Sequence, residues 1–365
     1  MDVGIVGLAQ AGKTTVFNAV TRGKAQTGFG AAHEPNIGVV KVPDPRLDTL
    51  AAMFRPKKVT PAEIRYVDFP PAGAHFGKGE GPGGAFLNEV RRVDALMHVV
   101  RAFHNPAVPH PEGTIDPARD IATLELELAF ADLAVIERRL ERLEAELRAV
   151  RAGERGAGER ERALLTRLKA ALEAERPLRA LDLSDEEERL IAGFRFLTRK
   201  PMLILLNVGE EDIAHREAIE AEYRARFAGP RTDVAALCGK LEMELLELPH
   251  EEAAEYRRHL GLGDETGLNR AIRLSYRLLG LISFFTVGPD ECRAWTVEAG
   301  ATAQRAAGKI HSDMERGFIR AEVIHYEDLA AAGSEAEARR RGLMRTEGKG
   351  YIVQDGDVLH ILFNV

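Results

Sequence analysis

Cysteine is scarce in this chain of 365 residues: Cys238 and Cys292 are the only two, too few for a disulfide framework. That scarcity fits a reducing compartment. Long apolar runs are missing too, since none approaches the ~20 residues of a membrane span. Met1 leads straight into Val3-Gly4-Ile5-Val6, without the basic-then-apolar layout of a signal peptide. A cytoplasmic protein with no membrane association is therefore expected. Nor is there an excess of basic charge. Lys and Arg total 50 against 57 Asp and Glu, a net charge of −7, so no global field draws the chain onto nucleic acid. Any RNA contact has to come from a local patch, for which Arg316, Arg320 and Arg339-Arg340-Arg341 are the candidates, diluted by Glu322, Glu335 and Glu337. What is present is enough apolar material, 45%, for a sizeable core, in a length that suits two to three domains.

The most specific signal lies at the amino terminus. Gly7 to Thr14 reads Gly-Leu-Ala-Gln-Ala-Gly-Lys-Thr, between an apolar strand-like run and the helix-like Thr15-Val16-Phe17-Asn18-Ala19-Val20. Strand, Gly-x-x-x-x-Gly-Lys-Ser/Thr and helix together form the context of a phosphate-binding loop. The glycines let successive N–H groups curl around a polyphosphate, and the helix adds the positive end of its dipole. Gln10, Ala11, Gly12, Lys13, Thr14 and Thr15 are the expected phosphate contacts, with Lys13 as the catalytic charge on the outer phosphates. Thr14 and Asp68, the latter closing the run Ile64–Val67, are the expected Mg2+ positions, Asp68 acting through water. Further on, Asn207-Val208-Gly209-Glu210 stands where GTPases carry Asn-Lys-x-Asp to read guanine. Val208 replaces the lysine and Glu210 is one methylene longer than aspartate, so the guanine clamp is altered and adenine fits as the base. Cys238 and Gly239, with Lys240, complete the expected base-side loop.

The apolar runs Val3–Val6, Ile64–Val67, Ala95–Val100, Met202–Leu206 and Val234–Leu237 alternate with helical segments, as in an α/β parallel sheet. An insertion interrupts that domain. Ala129, Leu133, Ile136, Leu140, Leu143, Leu147 and Val150 follow a heptad spacing that resumes at Leu165, Leu168 and Leu172. An antiparallel helical hairpin is expected, with a glycine-rich tip across 151–158 and an Arg/Glu surface that is a solvated face. After a helix near Leu268–Leu281, strands are expected at Phe284–Val287, Ala294–Val297 and Ala321–Ile324. An Asp-Gly hairpin should join Tyr351–Val353 to Val358–Phe363, and Ala301–His311 should be helical. Trp295 is read as core of this small α+β module. The expected division is 1–120 and 199–280 for the P-loop domain, 121–198 for the hairpin and 281–365 for the module.

These motifs, taken in order, resemble the YchF family, the Obg-like ATPases of the translation-factor GTPase class. The likeness is carried by the loop at Gly7–Thr14, by Glu34-Pro35-Asn36-Ile37-Gly38 and Gly79-Glu80-Gly81, and by His98-Val99-Val100-Arg101. It continues through Asn207-x-x-Glu210, Arg293-Ala294-Trp295-Thr296, the run His311–Phe318 and Asp355-Gly356-Asp357-Val358. The resemblance implies a C-terminal TGS module of ubiquitin-like (β-grasp) fold, ATP preferred over GTP, slow hydrolysis, and association with ribosomes. Three departures from the family pattern stand out. Ala9, Gln10, Ala11 and Thr14 occupy the variable places of the loop. Ala32 stands where a switch threonine would ligate magnesium, and a methyl group coordinates nothing. Pro71 stands where a glycine amide would sense the γ-phosphate, and proline has no N–H. Ala72 and Gly73 follow where a water-orienting glutamine would be; His75 is a weak substitute. The expected function is a Mg2+-dependent ATP-binding protein, with GTP as the lesser ligand, a weak ATPase activity and a ribosomal partner. The alternatives left open are a nucleotide-binding module without hydrolysis and a strict GTPase.

Overall fold

The computed structural model describes residues 1–23, 35–69, 84–149, 155–263 and 265–364. They form two compact units: Met1–Gly38 with Arg65–Ala271, and Val39–Ile64 with Ile272–Val365. The first unit is built on a sheet of β1 (Asp2–Val6), β2 (Asn36–Lys41), β4 (Glu63–Asp68), β5 (Ala95–Ala102), β6 (Met202–Val208) and β7 (Thr232–Leu237). Their order is β2-β4-β1-β5-β6-β7. β1 runs parallel to both β4 and β5, and β5, β6 and β7 continue in parallel. Strands of this kind are covered on both faces, which is why β6 is an unbroken apolar run. Leu96, Val100, Ile204 and Leu206 point to one core, while Met97, Val99, Leu203 and Leu205 are buried on the other side. α1 (Lys13–Thr21), α3 (Gly84–Val90), α7 (Arg216–Phe227), α8 (Gly239–Glu247) and α9 (His250–His259) are the crossover and flanking helices.

The helical insertion does not begin at a clean break. α4 (Pro117–Ala149) is one helix serving two cores. Ile121, Leu124 and Leu128 pack on the sheet, whereas Ala129 and Ile136 pack on Leu165, Leu168 and Leu172 of α5 (Gly156–Glu173). The boundary expected at 120/121 thus falls inside a helix whose first turns belong to the P-loop core. The glycine-rich tip is also shorter than its composition suggests. Gly156 and Gly158 lie in the first turn of α5, and a side-chain carbon at Gly158 would sit 2.8 Å from Leu147. The seam needs glycine there for close approach, not for a turn. Arg139 with Glu161 at 2.7 Å and Lys169 with Glu137 at 2.8 Å flank it. The short α6 (Asp185–Ile191) opens on a Ser184/Glu187 capping box and helps close the hairpin core through Ile191.

The second unit is a mixed sheet in the order β11-β10-β12-β8-β9-β3. β8 (Leu281–Thr286) and β9 (Glu291–Glu298) form an antiparallel pair, followed by α11 (Ala303–Ile310) and α12 (Ser312–Arg316). β10 (Phe318–His325) is antiparallel to β11 (Arg345–Glu347) and to β12 (Asp357–Phe363), and β12 is parallel to β8. α11 buries Ala303, Ala306 and Ala307 against Phe284 and Val323, the β-grasp arrangement. Trp295 is partly buried on that core, with the Arg293 guanidinium 3.9 Å from its ring centroid.

Two findings differ from the sequence reading here. Residues 39–64, placed by that reading in the P-loop domain, belong to this unit. They carry α2 (Pro45–Phe54) and β3 (Lys58–Thr60), and β3 pairs in parallel with β9 as the edge of the sheet. Arg46 explains the attachment. It bridges Asp44 at 2.8 Å and Asp355 at 2.9 Å, and lies 5.2 Å from the Phe285 ring centroid. Asp355-Gly356, in turn, makes no hairpin. Residues 351–353 are not a strand, and Ile352 forms only an isolated bridge to Thr302. Asp355 spends its oxygens on Ser283 N–H and Arg46 instead, and Asp357 accepts from Gln354 N–H and Tyr351 O–H. α13 (Tyr326–Ala332) and α14 (Glu335–Arg340) fill the crossover, while α10 (Gly267–Leu278) contains the residue at which the chain passes between units. Among the described residues no helix is long and apolar enough to cross a membrane.

Asp132 fastens the insertion to the sheet. It is fully buried in α4 and accepts from Leu197 N–H (3.0 Å), Thr198 N–H and Thr198 O–H (2.8 Å each) and Arg91 (2.9 Å). Asp132→Ala removes the carboxylate partner of Arg91 and the acceptor of two amides and a hydroxyl, a loss of about 3–5 kcal/mol. Urea unfolding followed by circular dichroism checks this, and a loss below about 1 kcal/mol refutes it.

Candidate nucleotide site

The loop between β1 and α1 is shaped by three positive φ angles: Gly7 at 145°, Gln10 at 61° and Gly12 at 90°. Alternating left-handed residues turn backbone amides toward one concavity. Space makes the glycines necessary as well as φ. A side-chain carbon at Gly7 would collide with the Val99 carbonyl of β5, and one at Gly12 with the Asn207 amide. Gln10 is a strained choice, because left-handed backbone costs a non-glycine residue ~1–2 kcal/mol. Lys13 folds back along the loop, donating to Gly7 O at 3.0 Å and Leu8 O at 2.9 Å. Burial pushes its ammonium down to about 8, opposed by the Asp68 charge. The cation is thus held in a low-dielectric position over the loop, where its field on an anion is strongest.

Thr14 and Asp68 come together as the sequence reading expected. The Thr14 hydroxyl donates to Asp68 Oδ2 at 2.9 Å, and Asn36 Nδ2 lies 3.5 Å from the same oxygen. Asp68 Oδ1 is buried with no hydrogen-bond partner among the described residues. Burial raises the carboxyl's pKa, while Thr14, Lys13 and Asn36 pull it down. A hydroxyl and an orphaned carboxylate oxygen side by side are hard donors, the kind a small divalent cation takes. The residues therefore fit Mg2+.

Asn207, expected on the base side, ties two loops of the protein together. Its side chain, 5 % exposed, donates from Nδ2 to Ala11 O at 3.1 Å and accepts at Oδ1 from Gly239 N–H at 3.0 Å. It ties the phosphate loop to the loop that opens α8, with both polar atoms used inside the protein. Val208 and Cys238 are in the hydrophobic core, and burial raises the Cys238 thiol. Glu210 is exposed and pairs with Lys240 at 2.6 Å. Gly239 has a steric reason: a side-chain carbon there would be 3.1 Å from Asn207 Oδ1 and 3.6 Å from half-buried Thr15.

Three contributors escaped the sequence reading. Asn36 touches Asp68, His98 lies under the loop beside Gly7, and Phe103 stands 3.9 Å from a side-chain carbon built at Gly12. The signal for Phe103 was available: a ring just beyond the carboxyl end of a strand, the edge where α/β sheets bind ligands. Ala32, His33, Glu34, Pro71, Ala72, Gly73, His75 and Gly79–Gly81 lie outside the described residues.

With this geometry in place, similarity to other proteins becomes decisive. The chain is 42% identical, over the whole of both chains, to the ribosome-binding ATPase YchF of Bacillus subtilis (strain 168). It is 43% identical over 99% of both chains to the protein of the same name from Escherichia coli O157:H7. The chain belongs to the YchF family. Two family profiles match within it: residues 2–128 match a 50S ribosome-binding GTPase, and residues 281–364 match YchF-GTPase_C, described as a protein of unknown function (DUF933). The solved structure of the Schizosaccharomyces pombe YchF GTPase superposes with a TM-score of 0.85 at 33% identity, covering 99% of this chain and 97% of that one.

The way this YchF-family chain builds its loop has two measurable consequences. Asn207→Ala removes one buried tie on each side, about 1–3 kcal/mol. Affinity for ATP and GTP should fall together by ~5–100-fold in titration calorimetry, while Glu210→Ala changes their ratio. A base-selective effect of Asn207→Ala would contradict the tie. His98 is fully buried with neither ring nitrogen partnered among the described residues, and burial, then Lys13 and Arg179, hold its pKa down at about 3. Between the ordinary 6.5 and about 3 the unfolded chain binds a proton that the folded one refuses, so stability falls as pH falls. At pH ~5 the loss from this group is about 2 kcal/mol. His98→Met should flatten that part of the stability–pH curve; an unchanged slope would count against it.

Proposed function

We propose that this chain is a Mg2+-dependent ATP-binding protein of the cytoplasm, with GTP as a weaker ligand, that hydrolyses ATP slowly and acts on ribosomes. The observation that carries the reading is the convergence of Lys13, Thr14 and Asp68 around a left-handed glycine loop at the carboxyl ends of parallel strands. Lys13 positions and neutralises the outer phosphates, and the loop amides hold the tail. Thr14 offers a hydroxyl ligand to Mg2+, and Asp68 holds its water. Bound there, Mg2+ supplies charge neutralisation at the terminal phosphates. Asn207 keeps the loop and the base-side segment in register, and Glu210 leaves the guanine-reading place without its aspartate. Ribosome association is carried over from the names of the relatives in Bacillus subtilis and Escherichia coli.

Hydrolysis is slow on this reading because Ala32 has no side chain that can ligate the metal and Pro71 has no amide hydrogen for the terminal phosphate. Removing a single preorganised donor of that kind costs about 2.7–4 kcal/mol, or 10²–10³ in rate. The same two residues favour the second reading, a binding module with no turnover. Titration calorimetry with ATP and GTP, each with and without magnesium, should give tighter, magnesium-dependent binding of ATP and no binding in Lys13→Ala. Multiple-turnover phosphate release should exceed that of Lys13→Ala by ~10²-fold. Release equal to that of the variant would select the module, and GTP bound tenfold tighter would overturn the base assignment.

A further inference from the structure

We propose that the cleft at the root of the helical insertion docks an acidic segment of a partner protein through one aromatic side chain. The proposal stands apart from the nucleotide reading, because the two places are at opposite ends of the sheet. The phosphate loop leaves the carboxyl end of β1, whereas the cleft is lined by Thr198 and Thr232, at the amino ends of the parallel strands β6 and β7. Its volume is about 510 Å³, within the range that seats a large side chain with its flanks.

The floor is apolar: Ile121, Leu126 and Ala129 of α4, Phe227 of α7, and Pro177 and Pro230 from the turns. At its inner wall Arg179 is fully buried. Its Nε donates to Thr232 Oγ1 at 2.9 Å, and its Nη2 donates to Glu125 Oε1. The other oxygen of Glu125, Oε2, is buried without a hydrogen-bond partner among the described residues. The Arg179–Glu125 pair thus closes the inner end of the cleft and leaves the apolar floor as the surface on which a ring can lie.

The rim decides the charge of what surrounds that ring. Arg176 and Arg226 are exposed and make no ion pair among the described residues, with Arg226 stacked 5.1 Å from the Phe227 ring centroid. Glu175 is the opposing rim carboxylate, and Glu125 is neutralised by Arg179, so the mouth keeps a positive excess on a chain of net charge −7. Arginine beside an aromatic over an apolar floor is the composition of an interface centre. The apolar surface also runs on beyond the cleft. Leu126 is 39 % exposed, and Phe130, one turn along α4, is 56 % exposed. That extension suits a peptide longer than its anchor residue. A nucleic acid would need more phosphate partners than two arginines.

The test uses the full chain and a fluorescein-labelled peptide of about nine residues, Asp/Glu-rich with a central tryptophan, read by fluorescence anisotropy. Saturable binding is expected, weakened ~10-fold or more when the tryptophan is replaced by serine or the acidic residues by lysine. Leu126→Arg and Arg226→Glu, both at exposed positions, should each cost ~10-fold in peptide affinity while ATP affinity is unchanged. Equal binding of the serine peptide, no saturation below about 1 mM, or indifference to both substitutions would overturn the proposal. So would binding of a single-stranded RNA oligonucleotide through Arg226 where the acidic peptide fails.

Discussion

The first unit depends on a single side-chain amide. Asn207 sits at the end of the most deeply buried strand, β6, and its two polar atoms reach two loops that are remote in sequence. Ala11 belongs to the phosphate loop and Gly239 opens α8, so one rigid group sets the distance between them. The tie dictates sequence at both ends. Gly12 can carry no side chain because the Asn207 amide occupies that space, and Gly239 is restricted on the other side. An amide in a dry place, with donor and acceptor both satisfied, holds geometry better than an ion pair would, since it has no charge to desolvate. The exposed Glu210–Lys240 pair nearby contributes little by comparison.

The same logic orders the rest of the site. Thr14 and Asp68 are each fixed by a neighbour in the sheet or in the first turn of α1, and Lys13 by the Gly7 and Leu8 carbonyls of the loop itself. On the proposed reading the terminal phosphate would be faced by Ala32, which has no side-chain metal ligand, and Pro71, which has no amide hydrogen. On that reading binding and sensing separate along the chain, the first written into strand ends and the second into segments that lack the usual donors.

Legibility from sequence followed the same division. The phosphate loop was readable because its chemistry is local: glycine spacing, one lysine and one hydroxyl on a strand–loop–helix unit. The parallel strands were readable because burial on both faces leaves unbroken apolar runs, and the hairpin because Leu133 through Leu147 keep a heptad period. Asn207 was found but its tie between the two loops was not, since a motif names a residue and not the direction of its side chain. Residues 39–64 were placed in the wrong unit for a related reason. Nothing local in Lys58-Val59-Thr60 says that its partner is β9, more than 230 residues away by sequence number, and Arg46 reveals its role only beside Asp355 and Phe285. The Asp355-Gly356 turn failed as a hairpin signal because long-range partners claimed the aspartate's oxygens first.

α4 shows how an insertion of this length is tolerated. A helix that started at the edge of the domain would hang from a flexible joint. This one starts inside the core, with Ile121, Leu124 and Leu128 against the sheet, and only then leaves to form the seam with α5. Asp132 stands at the point of departure, binding the returning chain at Leu197 and Thr198 just before β6 begins. The hairpin root, the strand that carries Asn207, and the cleft beside Arg179 are consequently one mechanical block. On the α4 side a displacement of the hairpin is carried by one continuous helix into the core, and on the returning side Asp132 holds the chain that leads into β6, the strand whose far end clasps the phosphate loop.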